Sequence, residues 1–369
     1  MPAAMDEHLA PLLPGISAGR PVTSAEFDAL AEAARDDPVQ SAFSGTAGAG
    51  LLRDLTAERI VLMRVLCEPF TAWWRGYFPG SDGAGPPVSD LWRLYLPLAQ
   101  WIVRARREQR PGQLFMMGFN GSPGAGKTVL TSAIAVVLNR MLDPEADGRA
   151  VARSGDDWYL GKKAREALVP QGYDPGVPGV SNRALPGTHD LRWLKRNLRE
   201  MERSTRLGTI RMGSFDKRAD DQPPGQFFDV RGKVGVFLFD LWFAGARTDV
   251  DPMELPDGLR RRVAEKLRDW RPVFDRMDAL WSFDWPSFEQ MVRERERQER
   301  LAELRSRTAG MNREQIRAFM SYMIEQPWDW RVTSPVPPDS AVTFRAWRDE
   351  NHRVIAARQG GRAPCPPSP

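Results

Sequence analysis

The chain has 369 residues, 42% hydrophobic and 27% charged, the balance of an ordinary globular protein. That length suits two domains or one large α/β domain with appendages, and it buries a core without disulfide staples. Two cysteines, Cys67 and Cys365, exclude a disulfide scaffold and a cysteine zinc site and fit a reducing cytoplasm, while three histidines (His8, His189, His352) argue against a multi-histidine metal centre.

Net charge is +4, and of the 52 basic residues 45 are arginine and seven lysine. Such an excess fits nucleic acid, a polyanionic small ligand or a GC-rich coding bias. The arginines are scattered among nearly as many acids, so no nucleic-acid partner is expected. The opening MPAAMDEHLAPLLPG has no basic region and no long apolar core, so no signal peptide is expected. No window holds the ~18–20 apolar residues of a membrane span.

Residues 1–110 read as a helical N-terminal extension. A helix opens at Thr23-Ser24-Ala25-Glu26, with Ser24 as N-cap. Asp54 to Tyr77 and Leu91 to Arg107 carry apolar residues at helical spacing, separated by a Pro/Gly-rich loop from Pro79 to Pro87. The period then changes. Gln113–Asn120, Arg149–Ser154 and Lys233–Trp242 read as short buried strands, with a helix over Thr128–Leu142. Leu259–Arg271, Ser287–Arg307 and Arg313–Ile324 read as helices. Ala341–Phe344 and Arg353–Ala356 read as late strands around an Asp349–Asn351 turn. Strands alternating with helices predict a mainly parallel α/β sheet. The core spans 111–358, and 359–369 read as a disordered tail.

Gly121-Ser122-Pro123-Gly124-Ala125-Gly126-Lys127-Thr128 is G-x-x-x-x-G-K-T, with a strand before it and a helix after it. The glycines let backbone N–H groups turn inward as an anion nest, and the helix adds its positive end. Lys127 supplies a charge for the β- and γ-phosphates, and Thr128 a hydroxyl for Mg²⁺. These residues predict nucleoside triphosphate binding. No N-K-x-D signature is present, which disfavours a GTPase. Asp240 closes the most apolar strand, as a Walker-B acid does. Asp156 and Asp157 lie at the end of the second strand, on the edge that faces the phosphates in a parallel sheet. A carboxylate there accepts the proton of an attacking alcohol.

The sequence resembles the P-loop small-molecule kinases, the group of phosphoribulokinase, uridine kinase and pantothenate kinase. Within that group it is similar to D-glycerate 3-kinase and its bacterial relatives. Four stretches, spanning roughly 90–250, carry the resemblance. They are the phosphate loop with the preceding Tyr95–Ala99, Ser154-x-Asp156-Asp157-x-Tyr159, the run Arg183 to Asp190 (RALPGTHD), and Phe215-Asp216-Lys217 followed by Phe237 to Arg247. RALPGTHD, close to the family's R-G-x-P-G-T-H-D, is the most specific. The resemblance implies a P-loop NTPase three-layer sandwich with a helical lid.

It also implies roles. Asp156 falls on the catalytic base, with Asp157 a second candidate. Arg183, Thr188, His189 and Asp190 would line the acceptor pocket, with Asp216 and Lys217 facing it. Asp240, in place of a Glu, would hold Mg²⁺ with Thr128. Arg295 matches the lid arginine, flanked by Arg293 and Arg297. His189 beside Asp190 would be a proton relay or a donor to an anionic acceptor. Arg183, Lys217 and Arg247 suit an acceptor bearing a carboxylate or phosphate.

The chain departs from the family on the acceptor side. Leu241 stands for a glycine, Trp158 for a phenylalanine, and Arg218 to Gly225 differs from the expected run. The expectation is therefore a cytoplasmic Mg-ATP-dependent kinase acting on a hydroxyl of a small anionic, glycerate-like metabolite. A specialised-pathway or nucleoside-like acceptor stays open, as does a P-loop ATPase or nucleotide-dependent binding protein.

Overall fold

The computed structural model describes residues 9–44, 48–78, 88–306 and 310–360. The expected loop at 79–87 and residues 361–369 of the expected tail lie outside them. The chain opens with α1 (Leu12–Ser17), α2 (Ser24–Asp36), α3 (Ser41–Ser44) and α4 (Ala49–Tyr77). α5 (Val88–Asp90) leads through a π-helical turn, Leu91–Tyr95, into α6 (Leu96–Gln109). Thr23, and not Ser24, caps α2. Its hydroxyl accepts from the Glu26 N–H at 3.2 Å while the Glu26 carboxylate takes the Thr23 N–H at 2.9 Å. Each satisfies a backbone donor that the first turn leaves unpaired.

Then come β1 (Phe115–Asn120), α7 (Lys127–Met141), β2 (Arg149–Ser154), α8 (Lys162–Glu166) and α9 (Leu191–Glu202). β3 (Thr209–Met212) and β4 (Phe228–Arg231) form a hairpin. β5 (Val234–Asp240), β6 (Arg247–Thr248), α10 (Leu259–Phe274) and β7 (Ala279–Phe283) follow. The chain ends through α11 (Phe288–Ser306), α12 (Arg313–Ile324), β8 (Thr333–Ser334), β9 (Phe344–Arg348) and β10 (Val354–Gln359). Sequence reasoning missed α9, the β3–β4 hairpin and β7. The first late strand starts at Phe344, and Ala341 closes a 3₁₀ turn instead. Gln359, assigned to the tail, still belongs to β10.

The main sheet runs β10-β9-β7-β1-β5-β2. β9, β7, β1, β5 and β2 pair in parallel, and only β10 is antiparallel. Both faces are covered, so successive side chains enter two different cores. Phe115, Met117 and Phe119 join α1–α4, α6 and α7 on one face. Leu114 and Met116 join α9, α10 and α12 on the other. This two-sided burial is why β1 reads as an unbroken apolar run. The N-terminal helices thus share one core with a face of the sheet. Among the described residues no helix is long and apolar enough to cross a membrane.

A buried ion pair ties this layer to the last hairpin. Arg93 Nε lies 2.5 Å from Asp37 Oδ2, both side chains less than a tenth exposed. The same guanidinium donates to the carbonyls of Val354 (2.9 Å) and Ile355 (3.3 Å). Removing one partner of such a pair leaves a buried charge uncompensated. Arg93→Ala should lower unfolding stability by about 3–5 kcal/mol, read by urea titration, with a loss well beyond that of an exposed control such as Arg35→Ala.

Candidate active site

Register places the site. Phe119 of β1 stands opposite Asp240 of β5, which stands opposite Ser154 of β2. The phosphate loop, Asp240 and the 3₁₀ turn Gly155–Trp158 therefore leave the sheet at one edge. Gly126, with φ +84°, turns the chain into α7 in a conformation that disfavours a side chain. Lys127 is buried, and its Nζ donates to the carbonyls of Gly121 (2.8 Å) and Ser122 (3.0 Å). Burial pulls its pKa down to about 8, against the pull of Asp240 and Asp156. Thr128 is exposed at the start of α7. Pro123, Ala125 and Ser122 are buried in the loop. Asn120, just before it, donates to the carbonyls of Trp242, Ala244 and Pro335 and accepts from Trp285 Nε1 at 3.0 Å.

Three carboxylates share this edge in three environments. Asp240 is buried. Its Oδ1 accepts from Ser154 Oγ at 2.9 Å, and its Oδ2 has no partner among the described residues. Burial raises its pKa in spite of Lys127. Asp157 takes the Ser154 N–H (3.1 Å) and pairs with Arg153 (2.9 Å), so it closes the capping box of the 3₁₀ turn. Burial, opposed by Arg153 but helped by Asp156 and Asp240, pushes it up to about 6. Asp156 faces Lys217 Nζ at 2.6 Å. Burial opposes its ionisation, but Lys217 and Tyr159 prevail and hold it well below the usual carboxylate range. The tight turn, rather than strand alternation, separates the two neighbours.

His189 is buried against Tyr159, Trp270 and Phe243, with ring centroids 4.4, 5.1 and 5.7 Å away. Neither ring nitrogen has a hydrogen-bond partner among the described residues. Burial lowers its pKa to about 3 in spite of Asp156, so the imidazole is neutral. Arg183 binds Asp220 Oδ1 at 2.5 Å and lies over the Phe319 ring. Arg295 of α11 lies over the same ring at 5.5 Å and pairs with Glu299. α12 therefore brings the two arginines together. α11 also packs over the phosphate loop, since a Cβ on Gly124 would stand 3.4 Å from Glu294 Cβ. Arg293 is exposed, and Arg297 donates to the Glu350 carbonyl at 3.0 Å.

Other expected residues have local partners. Thr188 Oγ1 donates to the Leu185 carbonyl, and Asp190 caps α9 through the Trp193 N–H. Asp216 accepts from the Arg218 and Ala219 N–H groups of its own loop. Arg247 pairs with Asp249 and has no hydrogen bond or ion pair to the Asp156 group.

Among the described residues no three His, Cys, Asp or Glu side chains converge as ligands of one ion. A lone buried oxygen on Asp240 near Lys127, with the Thr128 hydroxyl at the head of α7, instead suits Mg²⁺ that takes most ligands from phosphate and water.

Searched against known families, the chain matches no family model. It is 25% identical over 233 residues to an uncharacterized kinase, mug58, of Schizosaccharomyces pombe, covering 58% of this chain and 80% of that one. It superposes on the YGR205w protein with a TM-score of 0.57 at 20% identity, covering 72% of this chain and 96% of the other. D-glycerate 3-kinase of Cryptococcus neoformans superposes with a TM-score of 0.52 at 16% identity, covering 71% and 97%. The fold is that of a P-loop kinase.

The departures are absorbed by packing. Leu241 is buried in space that Gly155 leaves, where a Cβ would stand 2.5 Å from Leu241 Cδ1. Trp158 is buried and donates to Asn197 Oδ1 at 2.9 Å. Trp242 donates to the carbonyl of Ala184, which sits at φ +95°. Sequence reasoning missed Asn120, Arg165, Asp220 and Arg348, none of which carries a local signal. Gly155→Ala should therefore lower stability by about 1–3 kcal/mol through overpacking. Leu241→Ala in the same chain should recover part of that loss, seen as strong coupling in a thermal-unfolding double-mutant cycle. Additive losses would show that the two do not share the space.

Proposed function

We propose that this protein is a cytoplasmic Mg-ATP-dependent kinase that transfers the γ-phosphate to a hydroxyl of a small anionic, glycerate-like metabolite. One observation carries the reading. Asp156 is a carboxylate held ionised at the strand end beside the phosphate loop, with Lys217 on it and Arg183 and Arg295 nearby. The cationic set around this carboxylate suits an anionic acceptor better than a water molecule.

The roles follow from chemistry. The loop N–H groups and Lys127 bind and orient the phosphates. Asp240 and Thr128 would hold Mg²⁺, which when bound neutralises phosphate charge. Asp156 accepts the alcohol's proton as oxygen bonds to phosphorus. Arg183 and Lys217 hold the acceptor's anionic group, and neutral His189 offers one N–H and one lone pair at the pocket wall. Arg295 brings charge from α11, the lid, over the transferring group.

ADP release should depend on an added alcohol in a screen over glycerate, sugar acids and nucleosides. Fast turnover with no acceptor would favour the ATPase. Lys127→Ala should abolish transfer in a folded protein. Asp156→Asn should lower kcat by ~10²–10⁴-fold, and Asp157→Asn by less, because Asp157 is engaged by Ser154 and Arg153. A silent Asp156→Asn beside a dead Asp157→Asn would reverse the two roles.

A further inference from the structure

Arg165 lies on α8, outside every motif, yet its side chain is fully buried. A buried arginine is costly unless its donors are satisfied. Here they reach three segments. Nε donates to the Leu160 carbonyl (2.9 Å), and Nη1 to Ser181 Oγ (2.9 Å) and Asn182 Oδ1 (3.3 Å). Nη2 bonds the Asp220 carbonyl and lies 3.1 Å from Asp220 Oδ2. The guanidinium stands 5.4 Å over the Phe215 ring.

Asp220 is the counterpart. It sits at φ +51°, in the left-handed region that non-glycine residues rarely adopt. Its Oδ1 also accepts from Ser181 Oγ (2.7 Å) and Arg183 Nη1 (2.5 Å). The loop is closed by paired backbone bonds between Asp216 and Asp221, and Asp221 Oδ1 fastens it to the Lys162 N–H at 2.8 Å. Arg183 donates in addition to the Lys217 carbonyl at 3.3 Å. The loop's single outward reach toward the site is Lys217, whose side chain is 58% exposed yet ends on Asp156. A flexible, exposed lysine holds one such contact only if its backbone is fixed.

We infer that Arg165 and Asp220 are positioning residues: they clamp the Asp216–Asp221 loop so that Lys217 stays on Asp156 and Arg183 keeps a fixed spacing from it. Asp220 is held by Arg165, binds Arg183 and lies in the loop that carries Lys217, so it sets the distance between Arg183 and Lys217, the two cations that meet the acceptor's anionic group. The clamp lies in the stretch where the sequence departs from its resembling family. That places acceptor selectivity in the loop, not in the phosphate side of the site. The selectivity half of this inference rests on the kinase reading, whereas the clamp does not.

The test uses the full chain and two readouts. With seven lysines, acetylation by an N-hydroxysuccinimide ester can be followed at each by mass spectrometry. Lys217 should react about tenfold faster in Asp220→Asn and Arg165→Met than in the parent, with Arg165→Lys between, and Lys233 unchanged in all. Asp220→Asn keeps shape and covers the case in which Arg165→Met does not fold. In turnover, the variants should raise acceptor KM about tenfold and leave ATP KM within twofold. An unchanged Lys217 rate in folded Asp220→Asn would overturn the clamp, and equal rises in both KM values would overturn its acceptor role. If the parent shows no acceptor-dependent turnover, the kinase reading falls and the acetylation rates alone decide the clamp.

Discussion

The site depends on three parallel strands ending level. β1, β5 and β2 are hydrogen-bonded neighbours, and their last residues feed the phosphate loop, Asp240 and the Asp156 turn. Side chains alternate between faces, so a one-residue slip of β5 would exchange Asp240 for Phe239 and send the carboxylate into the α9–α10 core. Apolar packing on both faces prevents that slip. Asn120 adds a polar lock, since its amide joins the chain after β5, the segment after β8 and the Trp285 loop. Polar geometry at the edge is thus set by hydrophobic register below it.

On that frame, three carboxylates lie close enough to influence one another. Burial alone would push all three toward the neutral form. Only Asp156 escapes, because Lys217 reaches it from a distant loop and Tyr159 favours its ionised form from the end of the same turn. Asp157 is held by its own turn and stays near neutrality in its titration. Asp240 keeps a bare oxygen beside Lys127. Identical side chains thereby acquire separate environments, which suit the proposed tasks of base, cap and metal holder. Their assignment follows from partners, not from their place in the motif.

How much of this was legible depended on whether the signal was local. The phosphate loop, β1, β2 and β5 announce themselves by apolar runs beside glycine or acid. β7 did not, although it is a central neighbour of β1. Its five residues lie between charged α10 and the Asp284-Trp285-Pro286 turn, too short to show a period. Asp156 was legible from its motif, but its partner Lys217 was tied to it only by resemblance. The pair lies in a 3₁₀ turn beyond the end of β2, so their different surroundings come from turn geometry that no strand pattern in the sequence announces. Asp220 and Arg165 were unreadable, since nothing local marks a charged residue as interior.

That blindness to buried arginine bears on composition. An excess of 45 arginines over seven lysines invites a polyanionic partner. The fold supplies another use. Arg93 binds one carboxylate and two carbonyls across the N-terminal layer and β10. Arg106 joins α6 to Asp147 and to the Gln113 carbonyl. Arg348, almost wholly buried, pairs with Asp284 and with Glu294 of α11. Arg165 gathers three segments, at Leu160, Ser181-Asn182 and Asp220. Each needs several donors in a fixed fork, which a guanidinium has and an ammonium lacks. Part of the arginine bias is therefore internal cross-bracing. Among the described residues around Asp156, Lys127 is placed by the phosphate loop, Arg183 by Asp220 and Lys217 by the loop that Asp220 belongs to, whereas Arg295 is held by Glu299 of its own helix and by the Phe319 ring.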